Sequence, residues 1–349
     1  MGQRLKSLVI FVIAALVSGV AGTAFANDDG GNSLTLSIWP GYLPADIPEQ
    51  FQAATGIALE IIERPSSREL KAGDLAALDL VALSGPSAQA LAAEDAFATL
   101  DHGLIPNLKH LYPAARDLAL DRGNQFSIPL TWGTTGICYR SDLVTEAPTR
   151  WVDILRPAKE VADKVTLLDS PRWLLAAQFK DLGLSVNETA PDKIKEAAKK
   201  LIETRPHRFD STAFFVRLGS GDVVMAHAWD SWCNHAARNN EAIKFALPKE
   251  GSDLWVDVLA IPKDAKNKSG AHAFMDFILR PEIAKQITEY SLYNSPNKAG
   301  MAAVDRATIA KYPGFAVKAE ELAKQEVMLD VGKTASDYTR AAVDVVNAR

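Results

Sequence analysis

Short apolar runs along the chain alternate with longer segments whose apolar positions recur every three or four residues. Leu34 to Ile38, in LTLSIWPGYLP, reads as a strand that breaks at Trp39-Pro40-Gly41. The following ADIPEQFQAATG spaces its apolar residues as an amphipathic helix ending at Gly56. IALEIIER alternates into a second strand, and ALDLVALSG is a nearly continuous apolar run of the type buried on both faces, stopped by Gly85 and Pro86. Strand, helix, strand, helix, strand opens an α/β domain with a parallel sheet. Ligands of such sheets sit at the carboxyl ends of the strands, where Trp39 and Ser84 fall.

The alternation continues with a strand at TTGICYR, a helix near Trp151 to Leu155, a strand at KVTLLD, and helices from Pro171 to Leu182 and from Pro191 to Thr204. DVVMAHAW is expected to be a strand ending at Trp229, with IKFALP and DLWVDVLAIP as further strands. SGAHAFMDFILRPEIAKQITEY reads as two helices broken at Pro281, and the chain from Arg306 as largely helical. No Pro/Gly/Ser-rich linker divides the sequence, so two domains, the default at 349 residues, imply that strands carry the chain between them more than once.

The N-terminus changes the picture of where this fold works. Arg4 and Lys6 precede the apolar run LVIFVIAALVSGVAG, and Ala24-Phe25-Ala26 supplies a small-x-small cleavage pattern. This is a signal peptide, residues 1–26, cleaved after Ala26, for export of a soluble protein. The segment holds two cations and no acid, so its removal takes the formal net charge from −5 to −7. A mildly acidic surface argues against a nucleic-acid partner. In an exported chain, Cys138 and Cys233 are compatible both with one disulfide and with two buried thiols.

Catalytic and metal motifs are missing: there is no G-x-S-x-G elbow, P-loop, Rossmann glycine fingerprint or H-E-x-x-H. His227, Asp230, Cys233 and His235 match no standard zinc spacing, and neither a metal nor another cofactor is expected. Trp39, Trp173, Trp229, Trp232 and Trp255 instead recur at strand ends and helix starts. Aromatic faces converging on a pocket suit a cation. Asp257 follows Trp255 by two, which puts both side chains on one face of a strand and makes an ammonium site.

SIPLTWGTTGICYR, LPKEGSDLWVDVLAIPKDAKNKSGAHAFMDFILRPEIAKQI and NSPNKAG carry a resemblance to the periplasmic spermidine/putrescine-binding proteins of ABC importers. It runs from WPGYLPADIPEQFQAATGI to LDVGKTASDY. It implies a two-lobed α/β fold of the type II periplasmic binding class, each lobe a mixed, mostly parallel sheet flanked by helices, with ligand in the interlobe cleft. Lobe one would be 27–137 plus 257–302, and lobe two 138–256 plus 303–349. It further implies a monomer that is not an enzyme, that takes up a small-molecule amine in the periplasm and hands it to an inner-membrane ABC permease.

Residue by residue, the resemblance assigns ligand contacts to Trp39, Tyr42, Ser84, Trp229, Trp255, Asp257 and Tyr293. Pro40, Pro86 and Met328 depart from the pattern. The largest departure is at LLDSPRWLL, where Ser170 and Trp173 stand at two positions that are acidic in polyamine binders. Asp169 and Arg172 match residues of the family without a principal ligand role, and Asp230 is the remaining acid that could replace the missing pair. The expectation is a cationic or zwitterionic amine with one ammonium head. A true polyamine binder and a ligand sensor are the alternatives. Ferric-ion binding is disfavoured because no adjacent tyrosine pair exists.

Overall fold

The computed structural model describes residues 31–65, 70–204 and 208–348. The expected signal peptide and its cleavage point after Ala26 lie outside the described residues. Among those described, ten strands form one continuous mixed sheet. They are β1 (Ser33–Ile38), β2 (Ala58–Glu63), β3 (Leu80–Ser84), β4 (Ser127–Arg140), β5 (Val165–Leu167), β6 (Arg208–Phe209), β7 (Met225–Trp229), β8 (Ile243–Ala246), β9 (Asp253–Ala260) and β10 (Glu326–Val327).

The sheet has two halves that meet in β4. Its first half pairs antiparallel with β9 from Ser127 to Thr134, and its second half pairs with β7 and β8 from Thr135 onward. Around the first half, β2, β1 and β3 lie parallel and join β9 through β3, while β10 runs parallel to β9. Around the second half, β5 is parallel to β7 and β6. Each half has its own apolar core. One is built on Leu34, Leu36, Val81, Ile128, Trp132 and Phe274, and the other on Ile137, Leu167, Leu174, Phe179, Leu201 and Tyr338. These are two lobes, and the crossing strand binds them without a linker.

The expected strand at TTGICYR proves to be only the distal half of β4. Pro129, which has no backbone N–H and reads as a strand breaker, sits where the register shifts between Pro129 and Thr131, so an irregularity absorbs it. Before the strand, Asp121 accepts hydrogen bonds from the backbone nitrogens of Gln125, Phe126 and Ser127 and from the Ser127 hydroxyl. The expected helical C-terminal region also contains β10, a two-residue strand that periodicity cannot show.

Two motifs explain themselves as caps. Asn267 accepts from the Gly270 nitrogen at the start of helix Lys268–Ile278, and Asn297 accepts from the Gly300 nitrogen at the start of helix Lys298–Ala303. The two helices expected around Pro281 are Lys268–Ile278 and Pro281–Ser291. The open question of the cysteines is decided: Cys138 on β4 and Cys233 on helix Asp230–Ala237 form a disulfide with Cα atoms 5.6 Å apart. It closes a loop with a sequence separation of 95. Replacing both by serine is expected to lower the unfolding free energy by about 2–5 kcal/mol, checked by chemical denaturation of the oxidised protein against the double variant; equal midpoints would contradict it.

Candidate functional site

Asp257 lies in mid-sheet. The register places Ser84 of β3 opposite it on one side and Thr131 of β4 on the other, so all three side chains share a face. Its Oδ2 accepts from the Tyr42 hydroxyl at 2.6 Å and from Thr131 Oγ1 at 3.3 Å. Burial pushes the carboxyl up to about 6, against the pull of those hydroxyls and of Arg64. Ser84 ends β3 at the start of helix Gly85–Ala93 and donates to Ser87 Oγ at 2.9 Å.

Aromatic rings surround this acid. Trp39 and Tyr42, on the loop after β1, have centroids 5.2 Å apart; Tyr42 and Tyr293 are 4.9 Å apart, and Tyr293 meets Trp255 edge-on at 5.9 Å. The Arg64 guanidinium lies 4.7 Å from the centroid of the Trp39 ring. Trp255 faces Gly133 across the β4–β9 ladder. A Cβ on Gly133 would come within 2.2 Å of Trp255 Cζ2 and 2.4 Å of Asp230 Oδ1, so the backbone there must be bare. Trp39, Tyr42, Ser84, Trp255, Asp257 and Tyr293 are thereby brought together in one wall.

The facing lobe contributes Trp173, from helix Pro171–Asp181, and Trp229, at the end of β7. Their rings pack edge to face at 5.5 Å, and both also rest against the first lobe's core. Between the lobes, the Asp330 nitrogen donates to Gln89 Oε1 at 2.8 Å. Ser170 occupies the N-cap of that helix without a capping side-chain bond. Asp169 is exposed and bonded to Ser211, away from the aromatic wall. Arg172 donates to the Leu329 carbonyl at 2.7 Å and to Asn187 Oδ1 at 2.9 Å, which fastens the helix to the C-terminal segment. Met328 is buried against Ala176, Val186 and Trp173.

Asp230 sits where the lobes join. It has no solvent exposure, accepts from the Ser231 nitrogen at 2.8 Å and from Asn294 Nδ2 at 3.0 Å, and its carboxyl is raised by burial to about 8. Asn294 also accepts from the Trp132 nitrogen at 3.1 Å through its carbonyl, so the NSPNKAG stretch ties the crossing strand to Asp230. Trp232 lies apart from the Asp257 wall, packed on Phe215 at 5.1 Å and His235 at 5.6 Å.

Two residues escaped the sequence reading. Thr131 belongs to the part of β4 hidden behind Pro129. Asp253 is buried, its carboxyl is raised by burial, and its Oδ2 accepts from Trp173 Nε1 at 3.2 Å. A signal for Asp253 was present: Asp253, Trp255 and Asp257 alternate along β9, so the strand period that paired the last two reaches the first as well.

A family profile described as bacterial extracellular solute-binding protein matches residues 47–317. The spermidine/putrescine-binding periplasmic protein of Escherichia coli strain K12 is 31% identical over 324 residues, covering 91% of this chain and 92% of that protein. A putrescine-binding periplasmic protein of the same organism is 32% identical over 343 residues, covering 91% of both. Among solved structures, a spermidine/putrescine ABC transporter substrate-binding protein of Streptococcus pneumoniae superposes with a TM-score of 0.78 at 27% identity, covering 90% of this chain and 100% of that one.

Burial of Asp230, His227 and His235 makes the stability of the fold depend on pH. Asp230, raised from 3.8 to about 8, contributes stability that is full below the unfolded value and lost as pH rises through about 8. His227 and His235 act oppositely: burial lowers them from 6.5 to about 3 and about 4, so their contribution is lost as pH falls below 6.5. Above pH 6.5 the acid acts alone among these three. Unfolding free energy is expected to fall from pH 6.5 to 8.5 by up to about 1.4 kcal/mol per pH unit, and Asp230→Asn to flatten that slope. Denaturant titrations across this range check it; a wild-type curve that is flat or rising would contradict it.

Proposed function

The chain belongs to the bacterial extracellular solute-binding protein family, and from that premise we propose that it is the periplasmic substrate-binding component of a polyamine-type ABC importer. It is exported as a monomer after cleavage behind Ala26, captures a small cationic or zwitterionic amine between its lobes, and hands it to a membrane permease. The observation that carries this reading is Asp257: a partly buried carboxylate that accepts from two hydroxyls, in a wall of Trp39, Tyr42, Tyr293 and Trp255.

The chemistry is complementary to an ammonium. A carboxylate raised to about 6 bears the cost of burial, and a cation placed against it relieves that cost. Ring faces attract the same charge and exclude water from it. Trp173 and Trp229 close over the ligand from the second lobe, in the hinge motion common to two-lobed binding proteins. Ser170, at the N-terminus of helix Pro171–Asp181, adds a hydroxyl, and the helix end suits the carboxylate of a zwitterion. Asp230, held largely neutral by burial below about pH 8, holds the junction beneath Trp255.

A second reading, a true polyamine binder, is favoured by one feature. Asp253 places a buried carboxylate against the Trp173 indole, four residues from Asp257 along the same face of β9 and about 13 Å away. A diamine spanning both acids would raise the melting temperature more than a monoamine of equal length, and Asp253→Asn would remove that advantage.

Asp257→Asn is expected to weaken binding of a primary alkylamine at least about tenfold at pH 7.5, by calorimetry. In the wild type the affinity should fall as pH drops through about 6, where Asp257 takes up its proton. An unchanged affinity in the variant would remove the ammonium assignment.

A further inference from the structure

A cavity of about 650 Å³ opens between the lobes, with Tyr293 of the aromatic wall in its lining. Pro40, Gly41 and Tyr293 bound it from the first lobe, and helices Phe214–Ser220 and Asp230–Ala237 from the second. The volume falls within the range of small-molecule sites. Tyr293 connects the cavity to the Asp257 wall: it lines the cavity, and its ring stands 4.9 Å from that of Tyr42, whose hydroxyl holds Asp257.

The far wall is aromatic. Phe215 and Trp232 are 5.1 Å apart, Trp232 and His235 are 5.6 Å apart, and His235 reaches Tyr293 at 6.4 Å. His235 is an uncharged ring at neutral pH, because burial and the neighbouring Arg238 hold its pKa down to about 4. Among the described residues that line the cavity there is no aspartate or glutamate, and their formal charge is that of Arg238. A second ammonium brought here would lose its water, meet no carboxylate from that lining and face a guanidinium. An aromatic or aliphatic group would bury its surface against rings.

We infer that this cavity is a second subsite, which takes the uncharged aromatic or aliphatic tail of a mono-ammonium ligand whose head lies at Asp257, with Tyr293 as the partition between them. The inference deepens the amine reading and rests on it. The cavity distinguishes ligands by the group that enters it: an uncharged tail is accepted there, a second cation is not.

Gly219 provides the test. It lines the cavity on helix Phe214–Ser220, and a Cβ built on it meets nothing within 4 Å, so a large side chain is tolerated at the cavity's edge without displacing a neighbour. Calorimetry of the mature protein with n-butylamine and with 4-phenylbutylamine compares head alone with head plus tail. Wild type is expected to bind 4-phenylbutylamine at least about tenfold tighter. Gly219→Trp should bring the ratio to within about threefold with butylamine affinity unchanged. Trp232→Ala, which removes the wall instead of filling the space, should also reduce the ratio. Equal affinities in wild type, or a ratio that survives both substitutions, would overturn the subsite. If neither amine binds wild type, the ammonium reading falls and the subsite with it. If phenylbutylamine binds equally well to Asp257→Asn while Gly219→Trp abolishes its binding, the head assignment fails and the cavity stands as an aromatic site on its own.

Discussion

The cleft depends on how closely β4 can pass beneath Trp255 and Asp230. At Gly133 the separation is too small for a side chain: an added Cβ would fall 2.2 Å from the indole and 2.4 Å from the carboxylate. That contact is where the first lobe's sheet becomes the second's, because Thr134 still pairs with β9 and Thr135 already pairs with β7. The orientation of Trp255 against the floor, and with it that of Asp257 two residues on, depends on a bare backbone at this point. Asn294 and the disulfide between Cys138 and Cys233 hold the same junction from two further sides, so helix Asp230–Ala237 has little freedom relative to the crossing strand.

On that frame the molecule keeps two buried carboxyls, Asp230 and Asp253, and a partly buried one, Asp257, and loss of water raises the pKa of all three. Their partners in the structure are hydroxyls, amides and an indole N–H. Such groups make a carboxyl tolerable away from water. Asp230, raised to about 8, is largely neutral at pH 7, while Asp257, raised to about 6 and acted on by Arg64, keeps its charge there and is the one that favours a cation. The surrounding rings act in the same direction at lower cost, since a ring face attracts positive charge and is itself easily buried. In the proposed reading, ligand capture and charge compensation at Asp257 are one event.

Much of this could be read along the chain. The strand and helix alternation, the breaks at Gly56 and Pro281, and the position of Trp39, Ser84 and Trp229 at strand ends are all consequences of period and punctuation. Asp257 was legible because Trp255 precedes it by two on a strand, and Asp253 was legible by the same rule though passed over. Thr131 was not, because Pro129 reads as a breaker and only the neighbouring β9 shows that the ladder tolerates it. Arg172, which stands beside the aromatic pair in sequence, turns to the Leu329 carbonyl and Asn187, and no local pattern distinguishes that from a ligand contact.

The sequence by itself determined most of the helices and strands, the α/β class, and several of the residues with the chemistry for a cation: these depend on side-chain period, capping and turn residues, all local in the chain. Only the tertiary structure decided that Ser84, Thr131 and Asp257 lie abreast, that Trp173 leans on Asp253, and that Cys138 reaches Cys233. Those relations join residues separated by tens to more than a hundred positions, and they are set by strand register and by the close approach at Gly133, which are properties of the packed sheet. The helix entrance at Ser170 shows the division well. Its composition puts a hydroxyl and an indole where the resemblance would put acids, and only the folded chain shows that Asp253 of β9 stands behind that indole.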